Sequence, residues 1–143
     1  MNQQIKIARE VALRADGFYG TAEALGQKAA DALGEKKRAQ ITGLESQANS
    51  ALKVSDVLDF IKVRTARHEE WRNQGFGIEL LQYIETNLRQ QRQSICATLA
   101  IAEETIVAQE VYLLLIRALI RQVAAHYEFA CQLRGTSSHA RDA

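Results

Sequence analysis

The sequence predicts an all-α protein: a single helical bundle of five or six helices with a long central C-terminal helix. The 143 residues contain no proline, where ordinary composition would supply roughly seven. Apolar residues recur at three- and four-residue steps along most of the chain, the period of a helix with one buried face. Between Gly77 and Gly135 run 57 residues with neither glycine nor proline. Sandwiches and barrels need many punctuated turns, so this composition disfavours them. An apolar fraction of 47% beside 24% charged residues belongs to a chain that closes a core rather than to a disordered one. The bundle is expected over residues 1–134, with 135–143 a mobile tail that lacks apolar periodicity.

Each element has its own signals. Ile5, Ala8, Ala12 and Ala15, with Val11 beside them, mark a short first helix that Asp16, Gly17 and Gly20 close. Thr21 is the expected cap of a second, in which Ala22, Leu25, Ala29, Ala32 and Leu33 share a face and Gly34 is the stop. Those small side chains predict close approach to a neighbour. The third runs from about Glu35 through Ile41, Leu44, Ala48, Ala51 and Leu52, with Gly43 as the place for a kink. Ser55 is the expected cap of the fourth, with Asp56 and Asp59 near its positive end. Its buried stripe is Val57, Leu58, Ile61 and Thr65; Trp71 closes it, and Asn73 through Gly77 is the break.

The remaining 57 residues would make one helix about 85 Å long at 1.5 Å per residue. A compact bundle requires a fold-back. The polar stretch Gln90 through Ser94 is the favoured turn, and Glu103 through Thr105 the second choice. Phase decides between them: Ile95, Leu99, Ala102, Ile106, Leu113, Ile116, Ile120, Val123 and Tyr127 keep helical steps across Glu103 and Glu104. One uninterrupted central helix is expected from Ile95 onward.

Several chemistries have no signature here. The N-terminus carries charges every few residues and lacks the roughly 7–15-residue apolar core of a secretory signal. The most apolar window, Val111 to Ile120, contains Arg117 and falls short of the ~20 residues that cross a bilayer. A cytoplasmic protein with no membrane contact is expected, with Cys96 and Cys131 as free structural thiols. His68, His126 and His139 show no metal-ligand spacing, and no Glu-x-x-His motif occurs. There is no nucleophile elbow, Walker loop or dinucleotide fingerprint, and Gly75-Phe76-Gly77 follows a helix, so it reads as a turn. The neighbours Glu69-Glu70 and Glu103-Glu104 diverge on a helix and read as solvated faces. Neither a metal nor a cofactor is expected.

A net charge of +1 rules out a bulk polycation, so any nucleic-acid binding must rest on local patches. Arginine outnumbers lysine twelve to six, and its planar fork suits phosphates. Lys36-Lys37-Arg38 opens the third helix; Lys62, Arg64, Arg67, His68 and Arg72 lie along the fourth; Arg89 and Arg92 fall in the expected polar turn. Lys36, Arg38, Lys62, Arg64, Arg67, Arg89 and Arg92 are the candidate phosphate contacts, against the plainer reading of charged faces paired with Asp59, Glu69 and Glu70.

Arg121-Gln-Val-Ala-Ala-His126 resembles the R-x4-H motif of HEPN domains, helical ribonucleases in which two copies of the motif meet across a dimer. That resemblance implies Arg121 on phosphate and His126 moving the 2′-hydroxyl proton. The family commonly has asparagine after the arginine and sets the motif at a helix start, whereas Gln122 stands here inside an apolar helix. The favoured reading keeps Arg121 as a solvated side chain and His126 as a partly buried helix residue.

A second resemblance covers about residues 35 to 134. Ser50-Ala-Leu-Lys-Val-Ser-Asp-Val-Leu-Asp-Phe-Ile61-Lys62, then Trp71 and Leu80 to Ile84, is similar to the middle of small helical subunits of type III CRISPR RNA-guided effector complexes. Tyr112, Leu113, Arg117, Ala124, Tyr127 and Ala130, with Arg134 after them, resemble that family's tyrosine-led terminal helix. The resemblance implies a noncatalytic RNA-binding structural subunit in antiviral defence, present as several self-associated copies beside other effector-complex subunits and guiding paired guide RNA and target nucleic acid. Linked weak sites would then supply the affinity one copy lacks. Trp71, Phe76 and Tyr83 form the candidate aromatic contact patch, against the favoured reading of Trp71 and Phe76 as core residues. The alternative without nucleic acid is a helical protein–protein adaptor.

Overall fold

The computed structural model describes residues 2–142, with side chains through residue 135. The expected tail, 135–143, falls almost wholly outside those described side chains. Helix α1 spans Gln3–Gly17, α2 Tyr19–Leu33, α3 Arg38–Ser50 and α4 Val54–Arg67. A single turn, α5 (Glu69–Arg72), leads into α6 (Phe76–Tyr83), which a π turn at Ile84–Leu88 joins to α7 (Arg89–Thr98). α8 (Ile106–Asp142) ends the bundle. With α6 and α7 forming one rod, six long helices surround one core, and no strand occurs among the described residues. No described helix is long and apolar enough to cross a membrane.

α8 is the centre, with α2, α3 and α1 packed on it. Its Val111, Leu115, Ile116, Leu119, Val123 and Tyr127 are all buried, which is why its apolar residues occupy more than one face. α2 crosses it at Gly26, where a Cβ would meet Val123 O at 2.8 Å and Tyr127 N at 3.0 Å. The close approach expected of α2 therefore occurs at that glycine. Gly34 ends α2 at φ 65°, a region open to glycine, and its amide donates to Ala30 O at 2.9 Å. α3 runs antiparallel to α8: Arg38 meets Glu128 at 2.9 Å, while Arg117 donates to Ala48 O at 2.8 Å and to Ala51 O at 3.0 Å. Arg117 thus satisfies carbonyls that the end of α3 leaves open.

Several expectations are corrected. The buried side of α1 is Ile7 and Val11 with Phe18, whereas Ala8 and Ala12 are exposed and Ile5 is 50% exposed. Neither Thr21 nor Ser55 caps a helix: α2 starts at Tyr19 behind Phe18, and α4 starts at Val54 behind an extended Lys53. The third helix opens as a 3-10 turn at Glu35–Lys37, and Gly43 lies inside a regular α3. The break after α4 begins at His68, whose backbone is extended. Trp71 and Phe76 are fully buried against each other with ring centroids 5.2 Å apart, which is the favoured core reading and removes them from the alternative contact patch.

The fold-back lies at 99–105, and the favoured turn at Gln90–Ser94 is helical. Polarity misled because those polar groups serve packing: Arg14 of α1 donates to Gln91 Oε1 at 3.0 Å and to Ser94 Oγ at 2.8 Å. The apolar steps across Glu103 and Glu104 do not mark one helix either. Ala102 is exposed and Ile106 is 80% exposed, so the stripe is interrupted where the chain reverses. Ala100 takes φ 56° there, and Ile101 N donates to Cys96 O at 2.8 Å to close α7.

Candidate nucleic-acid interface

The start of α3 and the end of α4 meet at one end of the bundle, with Gln40 as their link. Its Oε1 accepts from Arg64 Nη1 at 3.3 Å and from the buried Trp71 Nε1 at 3.2 Å. Lys37 reaches Glu70 at 3.3 Å. The Arg64 guanidinium stacks 4.9 Å from the Phe60 ring centroid and lies 3.3 Å from His68 Nε2. Arg72 Nη1 donates to Thr65 O at 3.0 Å and Ala66 O at 2.9 Å, capping the C-terminal turn of α4. Lys36 and Arg67 are exposed, without a hydrogen bond or ion pair among the described residues. A bond from its own amide, reinforced by Lys37, holds the Glu70 carboxyl below the usual carboxylate range. It therefore stays ionised and offsets one cation.

The other candidates do not join this end. Arg38 turns to α8, 2.9 Å from Glu128 and 4.0 Å from Glu35. Lys62 pairs with Glu85 of the π turn at 3.6 Å, on the side where α4 lies against the α6–α7 rod. Arg89 is exposed on α7. Arg92 is a correction: instead of standing in a polar turn it is buried on α7, 8% exposed, with its guanidinium 5.5 Å from the Tyr112 ring centroid. A polymer backbone lying on the surface does not reach a side chain held that deep.

The R-x4-H pair does not converge within one chain. Arg121 is exposed beside Glu45, Asn49, Arg117 and Ile120 on the α3 side of α8. His126 is half-buried on the α2 side, where Tyr19 stacks edge-on at 4.8 Å and its Nε2 is buried without a hydrogen-bond partner. Residues five apart on a helix are separated by about 140° around the axis, which explains the divergence. Cys96 and Cys131 are free and buried, and burial raises both thiol pKa values, the state of unreactive packing thiols. Among the described residues no three His, Cys, Asp or Glu side chains gather into a set able to hold a metal ion.

One surface was missed by sequence reasoning. Between α1 and α3 the face of α8 is open, forming two adjoining hollows of about 340 and 400 Å³ that share Leu114. Ala8, Ala12, Ala15 and Ala118 line one, and Ala51, Leu52 and Leu113 the other. Leu52 is 89% exposed beside it. The signal was the alanine stripe of α1, read as a buried face when it is a groove wall.

Comparison with protein-family models, with curated proteins and with solved structures finds no match to this chain.

Proposed function

We propose that the protein is a noncatalytic, RNA-binding structural subunit of a multi-subunit ribonucleoprotein, of the kind its resemblance to small CRISPR effector subunits implies. The observation that carries this reading is the meeting of α3 and α4, which sets Lys36, Arg64 and Arg67 on one end of a rigid bundle. Arg64 is oriented in advance by Gln40, His68 and Phe60, so less rotamer entropy is lost when a phosphate docks. Few contacts per copy mean weak binding, which several linked copies would strengthen.

The test is binding of labelled single-stranded RNA by the wild type and by a variant carrying Arg64→Glu and Arg67→Glu, as a function of salt. The log–log slope should fall in magnitude by about 1.4 in the variant, since each single-strand phosphate contact contributes roughly 0.7. Equal binding by both proteins would remove this end from the interface. RNA cleavage abolished by His126→Ala would instead favour a ribonuclease. The second reading, a protein adaptor, has the α1–α8–α3 groove in its favour, and absence of RNA binding at low salt would select it.

A further inference from the structure

Arg92 is the one charged side chain in the buried set among the described residues. Its Nε is buried without a hydrogen-bond partner, and no described carboxylate pairs with it. Of its nitrogens only Nε is enclosed in this way, and an enclosed donor without an acceptor is costly. The Tyr112 ring at 5.5 Å offers the guanidinium its π face. The Tyr112 hydroxyl is committed elsewhere, donating to Ile84 O at 2.7 Å. One turn earlier on the same helix, Arg89 is exposed and also unpaired among the described residues. Two guanidiniums thus stand three residues apart, one deep and one at the surface.

The nearby acids leave this excess in place. Glu85 is engaged by Lys62 at 3.6 Å. Glu103, in the 99–105 turn, is exposed and acts on Cys96 only at longer range. From this geometry we infer that Arg92 and Arg89 form a site for a compact tetrahedral oxyanion: inorganic phosphate, or the terminal phosphate monoester of a nucleotide chain. Arg92 would donate from below and Arg89 from the rim. The depth of Arg92 excludes a phosphodiester in mid-strand, whose flanking sugars need room on both sides. This site is independent of the α3–α4 interface, because free phosphate reports on it whether or not the protein binds RNA.

Thermal unfolding in inorganic phosphate, against chloride of equal ionic strength, tests it on the wild type, Arg92→Met, Arg92→Lys and Glu103→Gln. The wild-type Tm should climb roughly 3–6 °C per tenfold phosphate above half-saturation. Arg92→Met should keep the fold in chloride, because it removes the unpartnered buried Nε and fills the space of the arginine stem, and should be flat in phosphate. Arg92→Lys should keep the fold with a weaker climb, since a point charge replaces a fork. RNA oligonucleotides with a 5′-phosphate or a 5′-hydroxyl distinguish the sources: a shift with the phosphorylated end alone identifies a nucleotide terminus, and a shift with phosphate but with neither end identifies the free ion. A wild type indifferent to phosphate, or a climb retained by Arg92→Met, would overturn the site. So would a response appearing only in Glu103→Gln, which would make Glu103 the counter-ion.

Discussion

At Gly26 the backbone of α2 lies directly on α8: a Cβ there would collide with His126 Cβ and stand 2.8 Å from Val123 O. Gly26→Val must push the helices apart, an overpacking cost of roughly 1–3 kcal/mol, to be read in a denaturant titration with unchanged m-value. The small residues of α2 made this contact legible, although they did not single out which one forms it. Buried polar placement was not legible. Gln40 links Arg64 to Trp71, and Arg117 caps α3 from 66 and 69 residues away along the chain. Local spacing is blind to partners at that separation. Arg92 shows the same limit from the other side: a residue flanked by Gln91 and Gln93 read as solvated, yet its own side chain points into the core.

At the scale of the elements, the π turn Ile84–Leu88 keeps the rod 76–98 continuous while rephasing it. Tyr112 takes the Ile84 carbonyl there, and Lys62 meets Glu85 on the same turn. The true reversal at 99–105 depends on Ala100 at φ 56°. A left-handed alanine carries a steric cost of about 1–2 kcal/mol that glycine avoids. Ala100→Gly should therefore raise stability by roughly 0.5–1 kcal/mol, after allowing for the freedom glycine adds to the unfolded chain. A lowered Tm would mean the turn depends on the alanine methyl. The three breaks marked by glycine, at Gly17, Gly34 and Gly75 to Gly77, were readable because glycine tolerates the backbone of a helix end. The reversal at 99–105 was legible only through the second-choice turn at Glu103 to Thr105, since alanine in a left-handed conformation leaves no trace in composition and the apolar phase happened to continue across it.

For the whole molecule, the class and the long terminal helix followed from the missing proline and the unbroken stretch after Gly77, because those features restrict the backbone everywhere at once. Which charges share a surface depends on how the helices are brought together, so the seven candidate cations divide among different faces. Electrostatic balance across the α3–α8 seam gives a further check. Glu45 has its carboxyl pKa raised, first by burial, then by Glu128, with Arg121 opposing. For a raised carboxyl, the stabilising contribution is complete below the ordinary range and is lost as pH rises through the folded value. Glu45→Gln should thus exceed wild type in stability at neutral pH, with the gap closing as acidification passes down through the carboxylate range. A variant less stable at neutral pH would mean that pairing with Arg121 outweighs burial.

The basic end and the α1–α8–α3 groove offer alternative working faces on one rigid core, and hydrogen–deuterium exchange of the full chain with and without single-stranded RNA separates them most directly. Slowed exchange at 35–40 and 64–72, with 8–16 and 110–121 unchanged, is the result this account predicts. Protection confined to the groove helices, or none at RNA concentrations that saturate binding, would contradict it.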